Sequence, residues 1–190
     1  MPDLLLVGGP NGAGKSTFIR EYIKRKPYRY LCADEAAFEL NPEQPESVAA
    51  AAGRLFLQQI EEAREEKIDI IVESTLSGKS FLRRVERFAE DGYLVDIAFL
   101  TPLEEDISVE RVSLRKMKGG HFVPESDIRR RFNRAHFNFW NYYRQIANSG
   151  WSIYYNKTGV GQIQIAVGSG DHEVVLDKAS FERFCELCYN

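Results

Sequence analysis

The chain has 190 residues, enough for one compact domain with a substantial core and too few for two full domains. Hydrophobic residues make up 44% and charged residues 28%, which excludes a disordered chain, a fibrous repeat and a coiled coil. Lysine and arginine total 25 against 28 acidic residues, a formal net charge of -3, so no overall basic field holds nucleic acid or an anionic membrane. A phosphate-binding surface must therefore be local. The cysteines, Cys32, Cys185 and Cys188, form no disulfide framework, and their odd count suits a reducing compartment. The C-x-x-C pair in the last helix lacks the second pair or flanking histidines of a zinc site and reads as packed helix cysteines. With no leader-like segment and no membrane-length apolar run, the expected location is cytoplasmic.

Leu4 to Val7 is an apolar run that breaks into Gly8-Gly9-Pro10-Asn11-Gly12-Ala13-Gly14, and a helical pattern begins at Lys15. Tyr28 to Cys32 reads as a second strand ending at Asp34, followed by a loop at Asn41-Pro42 and a helix over about 47–65. Ile68 to Val72 is a third strand, apolar enough to be covered on both faces, and it delivers Glu73-Ser74-Thr75 at its carboxyl end. A helix over about 79–90, a turn at Asp91-Gly92 and a fourth strand, Tyr93 to Leu100, complete an alternation that argues for a mostly parallel sheet. Helices over about 105–117 and 124–146 flank Gly119-Gly120-His121. A fifth strand follows at Trp151 to Tyr155, then short strands within 162–176 and a last helix over 178–188. The expected organisation is a single domain, 1–190, with a lid region over about 105–146 and a small strand–helix appendage over about 162–190.

Gly9-x-x-x-x-Gly14-Lys15-Ser16, after a strand and opening a helix, is the phosphate-loop pattern in the context that gives it physical meaning. Gly9, Asn11, Gly12, Ala13, Gly14, Lys15, Ser16 and Thr17 form the expected nucleotide cradle, in which backbone N–H groups and the helix dipole meet the phosphates. Lys15 reaches the β and γ phosphates. Ser16 is the expected Mg²⁺ ligand, and Thr17, one position on, is a weaker candidate. The expected fold class is α/β: a P-loop NTPase, nucleotide-kinase-like sheet flanked by helices, with an arginine-rich helical lid. The expected cofactors are Mg²⁺ and ATP, with GTP open.

A hydrolase needs a positioned water; a kinase needs an acceptor hydroxyl, a base and mobile positive charge over the transferring group. Asp34 and Glu73 both end strands and belong at the carboxyl edge of the sheet. Asp34 is either the base or the N-cap of residues 35–39. Glu73 either holds magnesium through water or grips a substrate hydroxyl, while Ser74 and Thr75 cap a helix or add hydrogen bonds. Arg111, Arg115, Lys116, Lys118, Arg129, Arg130, Arg131 and Arg134 concentrate positive charge around a glycine hinge. Arg115 and Arg130 or Arg131 are the chosen phosphate clamps. His121 touches phosphate, caps or packs. Phe132, Phe137, Phe139, Trp140, Tyr142 and Tyr143 indicate core packing, with one or two rings at the cleft; binding of single-stranded nucleic acid through them is disfavoured by the acidic remainder.

Together, Gly8 to Thr17, Ala33-Asp34-Glu35, Asn41-Pro42, Glu73-Ser74-Thr75-Leu76-Ser77, Gly92-Tyr93 and Arg115 leading into Gly119-Gly120-His121-x-Val123-Pro124 resemble the zeta-toxin family of P-loop kinases over roughly residues 3–168. The resemblance is to its short stand-alone branch. It implies phosphorylation of a small-molecule hydroxyl, in characterised members the 3'-hydroxyl of the amino sugar of UDP-N-acetylglucosamine, and an antitoxin partner. It further implies Lys15 as phosphate lysine, Ser16 as magnesium ligand, Asp34 as base, Glu73 as substrate-orienting carboxylate, and Arg115 with Arg130 or Arg131 as the clamp. Related short proteins carry Asn-x-Asp where this chain has Cys32-Ala33-Asp34, and Asp-Asn-Ser where it has Tyr155-Asn156-Lys157. The alternatives are an ATPase or nucleotide-controlled regulatory protein, or a polynucleotide 5'-hydroxyl kinase.

Overall fold

A computed structural model describes residues 1–24, 26–117, 123–170 and 172–189. The lid positions Lys118, Gly119, Gly120 and His121 lie outside the described residues. Seven strands form one sheet in the order β2-β3-β1-β4-β5-β6-β7: β1 Asp3–Gly8, β2 Arg29–Leu31, β3 Ile70–Ser74, β4 Leu94–Thr101, β5 Gly150–Lys157, β6 Gly161–Ser169 and β7 His172–Val175. The strands from β2 through β5 are parallel, and β6 and β7 extend the sheet antiparallel. The helices are α1 Lys15–Tyr22, α2 Ala33–Leu40, α3 Ala49–Glu65, α4 Leu82–Glu90, α5 Glu105–Met117, α6 Glu125–Asn141 and α7 Lys178–Tyr189.

The central strands are buried on both sides, which is why they read as continuous apolar runs rather than alternating ones. Leu4 and Leu6 of β1 face the main core with Phe56 and Ile60 of α3, Val85 and Phe88 of α4, and Phe139 of α6. Leu5 and Val7 face the opposite layer with Ile19 of α1, Ile71 and Leu100. In the expected appendage, β6 and β7 join the same sheet, and Phe181, Phe184 and Cys188 of α7 enter the main core. Cys188 donates its thiol hydrogen to the Phe184 carbonyl at 3.3 Å, and among the described residues no cluster of three or more metal-ligating side chains occurs.

Phe132, Phe139 and Trp140 of α6 are core packing, whereas Phe137, expected in the core, is exposed. Phe139 stacks on Phe99 at 4.5 Å between centroids, and Trp140 meets Trp151 edge-on at 6.0 Å. The helix stops at Asn141 rather than running to 146, because Tyr142 leaves helical geometry (φ -133°) before a 3₁₀ turn over Tyr143–Ile146. Within the stripe His136 is fully buried. Its Nδ1 donates to the Phe132 carbonyl at 2.7 Å, so Nε2 accepts from the Thr101 hydroxyl at 2.8 Å, and burial drives its pKa down to about 4. Among the described residues no helix is long and apolar enough to cross a membrane.

β1 sits between β3 and β4, so the chain departs from it to both sides and leaves a crevice beyond the carboxyl ends of the parallel strands. The phosphate loop, Asp34, Glu73 and Asn156 all follow or end such strands and meet at that one edge.

Candidate active site

The loop between β1 and α1 is built by glycines that no other residue can replace without strain. Gly9, Gly12 and Gly14 have φ of 138°, 75° and 91°. A Cβ on Gly9 would lie 2.0 Å from the Leu100 carbonyl oxygen, and one on Gly14 2.2 Å from Nδ2 of Asn156. Gly14 is the left-handed N-cap of α1, leaving the first N–H groups of that helix to meet an anion. Ala13 is buried in the core, and Thr17 is exposed and outside the cleft lining.

The Lys15 ammonium lies folded over its own loop, donating to the carbonyls of Gly9 and Pro10 at 3.0 Å each and standing 3.9 Å from Glu73 Oε1. Burial pushes its pKa below the ordinary lysine value, against the charges of Glu73 and Asp34, which favour the cation. The Ser16 hydroxyl donates to Glu73 Oε2 at 3.0 Å, and the Tyr30 hydroxyl donates to the same oxygen at 2.7 Å. Burial and the Glu73 charge both raise the Tyr30 pKa, so the phenol stays a donor. Asn11, at the mouth of the loop, holds a buried Oδ1 with no partner among the described residues.

α2 begins two residues earlier than expected, at Ala33 rather than at 35. Its N-cap is Cys32, whose sulfur accepts from the Glu35 N–H at 3.3 Å, and Asp34 sits in the first turn with its side chain exposed. Asp34 therefore does not cap the helix. Ser74 and Thr75 do not cap one either: Ser74 Oγ accepts from the Leu76 N–H at 3.2 Å, and Thr75 Oγ1 pairs with Ser77 Oγ at 2.9 Å. They shape the turn after β3, where Leu76 takes a left-handed conformation (φ 53°) and its carbonyl accepts from Asn138 at 2.9 Å.

An open cleft of ≈ 900 Å³ gathers Asn11, Lys15, Ser16, Tyr30, Asp34, Glu35 and Glu73 with Arg20, Arg115, Arg130, Arg131 and Arg134. Every residue expected to be catalytic, Lys15, Asp34, Glu73, Arg115, Arg130 and Arg131, lines it. The other two arginines of the basic cluster do not. Arg129 joins α6 to α5 through Glu105, Asp106 and Glu125 at 2.8 to 2.9 Å. Arg111 binds the carbonyls of Gly12 and Asn156 at 3.3 and 2.9 Å, behind the loop. The α6 aromatics contribute no ring to the lining; among the described residues its rings are Tyr30 and Phe56.

The profile of the zeta toxin family matches residues 1–160. The chain belongs to the zeta toxin family. An uncharacterised protein of Haemophilus influenzae is 31% identical to it over 124 residues, 65% of this chain and 88% of its own length. A chain of the AvrRxo1-ORF1:AvrRxo1-ORF2 complex superposes with a TM-score of 0.75 at 16% identity, and that complex has also been solved with ATP. The match takes in 97% of this zeta-family chain but only 63% of the AvrRxo1 chain. A chain from the PezAT chromosomal toxin–antitoxin system of Streptococcus pneumoniae gives 0.70 at 15% identity, covering 97% of this chain and 78% of its own. At these identities the superpositions show a shared fold.

Tyr30 and Asn156 escaped the sequence-based assignment. Tyr30 is two residues before Cys32 on β2 and so shares its face, a period-2 signal available in the sequence. Asn156 ends a parallel strand, the same signal that singled out Asp34 and Glu73.

Proposed function

We propose that this zeta-family protein is a Mg²⁺-dependent phosphotransferase that moves the γ-phosphoryl group of ATP, or GTP, to a small-molecule hydroxyl. The supporting observation is that one cleft gathers Lys15 and Ser16 of the phosphate loop with Asp34, Arg115, Arg130 and Arg131. Transfer to a hydroxyl needs a proton acceptor within the same cleft as the phosphate lysine, and the exposed Asp34 carboxylate is suited to that task.

In this reading the acceptor hydroxyl lies against Asp34. Its oxygen bonds to the γ-phosphorus as the bond to the β–γ bridging oxygen breaks; its proton passes to the Asp34 carboxylate and ADP departs. Lys15 exchanges its two loop carbonyls for the β and γ oxygens. Arg115 and Arg130 or Arg131 match the charge on the moving group and exclude water that would divert it. The Ser16 hydroxyl, held by Glu73, is a fitting hard-oxygen donor for Mg²⁺, and the charge nearby suits a cation. Ser16 would hold the ion directly and Glu73 through that hydroxyl or a water. Bound there, the ion neutralises charge on the β and γ phosphates.

Family membership makes the 3'-hydroxyl of the amino sugar of UDP-N-acetylglucosamine the first acceptor to test, and an antitoxin the first partner. The deciding experiment follows labelled γ-phosphate, with Mg²⁺, into sugar nucleotides, nucleosides and oligonucleotides, alongside free-phosphate release. Label in a small-molecule acceptor is the expected result. Free phosphate alone, indifferent to every acceptor, would sink the kinase reading in favour of an ATPase, and label in an oligonucleotide would favour a polynucleotide kinase.

A further inference from the structure

Three donors meet successive carbonyls of the phosphate loop from outside the cleft. Arg111 Nη1 donates to Gly12 O at 3.3 Å, Asn156 Nδ2 to Ala13 O at 2.9 Å, and Gln162 Nε2 to Gly14 O at 3.4 Å. None of the three lines the cleft. The donors come from α5 and from the β5–β6 hairpin, on which Asn156 and Gln162 face each other, and Arg111 is joined to that hairpin: its Nη2 reaches Asn156 O at 2.9 Å and Thr158 Oγ1 at 3.1 Å.

A trans peptide is planar, so the carbonyl of one residue and the N–H of the next point in opposite directions. Anchoring the Gly12 carbonyl turns the Ala13 N–H inward, where it closes the loop on Pro10 O at 3.3 Å. Anchoring those of Ala13 and Gly14 turns the N–H groups of Gly14 and Lys15 away from the donors, toward the phosphate side. Glycine at 14, already required by its φ of 91°, also leaves room for Asn156, which packs against the place where a side chain would be.

We propose that Arg111, Asn156 and Gln162 form a carbonyl clamp that preorganises the phosphate loop from behind, with Asn156 as its central positioning residue. The clamp rests on the phosphate-loop reading of residues 9–16 and ties polyphosphate affinity to the β5–β6 pair and to the root of α5. Its members do not touch phosphate; they spare the loop the ordering cost that binding would otherwise carry.

The test measures dissociation constants for ATP and for inorganic tripolyphosphate, which has no base or sugar, together with melting temperature. Asn156→Ala should weaken both ligands by about five- to tenfold, the loss of one neutral hydrogen bond and some loop order. Asn156→Asp should weaken them further, because a carboxylate turns lone pairs toward the Ala13 carbonyl. The exposed Gln162→Ala, whose contact is long, should cost about two- to threefold and serves where the Asn156 variants fail to fold. Weakening confined to ATP would make Asn156 a contact for the base and overturn the clamp. So would unchanged affinities with a lowered melting temperature, the mark of a merely structural residue. A wild-type protein that binds neither ligand would overturn the phosphate-loop reading, and the clamp with it.

Discussion

The two sides of the cleft are built on different terms. On the floor, Lys15, Ser16, Tyr30 and Glu73 are bonded to one another or to the loop backbone, and Lys15 is only 7% exposed. Around the rim, Asp34, Arg115 and Arg134 are exposed, Arg130 pairs only with its helix neighbour Asp127 at 2.7 Å, and Arg115, Arg131 and Arg134 form no ion pair among the described residues. The floor is thus preorganised for phosphate before any ligand arrives. The rim is a set of long charged side chains whose arrangement depends on what they close upon. Under the proposed function donor binding belongs to the first and transfer to the second, so variants on the two sides should separate affinity from rate.

The sharpest break is Lys15→Ala, which removes the cation from the floor. We expect nucleotide affinity to collapse and kcat/KM to fall by about 10³-fold or more, measured by nucleotide binding and by label transfer. Preserved turnover would show that the floor is not the phosphate site. Next comes Asp34→Asn on the rim. Nucleotide affinity should stay within about twofold while kcat falls by about 10²- to 10³-fold, since the amide keeps the shape and cannot take a proton. A fully active variant would remove Asp34 from the chemistry. Arg131→Ala should lower kcat by about tenfold or more with a smaller change in donor affinity, and equal losses in both would move Arg131 from the rim's task to the floor's.

Much of this division was legible in the sequence, and for physical reasons. A strand followed by glycines, Lys15 and Ser16 has one geometry that satisfies it, and the rule that ligands gather beyond the carboxyl ends of parallel strands carried Asp34 and Glu73 to the same edge. Helix boundaries were less legible because they depend on the first satisfied N–H. The sulfur of Cys32 takes the cap that an aspartate would be expected to take, and Asp34 is released for other work. The roles of the arginines were the hardest to separate. Arg111, Arg129 and Arg131 look alike in sequence, yet one grips the loop from behind, one bolts two helices together and one faces the cleft, a distinction made by tertiary contacts at separations of up to 99 residues. Aromatic density on α6 carried no information about the cleft, whose rings among the described residues come from β2 and α3.

The smallest expected effect tests how much of the floor's order is needed. Tyr30 and Ser16 share one oxygen of Glu73, so Tyr30→Phe leaves the carboxylate its serine contact and removes only the donor at 2.7 Å. The phenol holds Glu73 in the rotamer that meets Ser16, and without it the carboxylate samples other positions at a cost near that of one charge-assisted hydrogen bond. Donor affinity at saturating Mg²⁺ should change little, while the Mg²⁺ concentration needed for half-maximal nucleotide binding should rise by about three- to tenfold. A Mg²⁺ titration of nucleotide binding reads this directly. An unchanged midpoint would mean that Ser16 alone fixes Glu73, and that the preorganised floor ends at the phosphate loop rather than extending to β2.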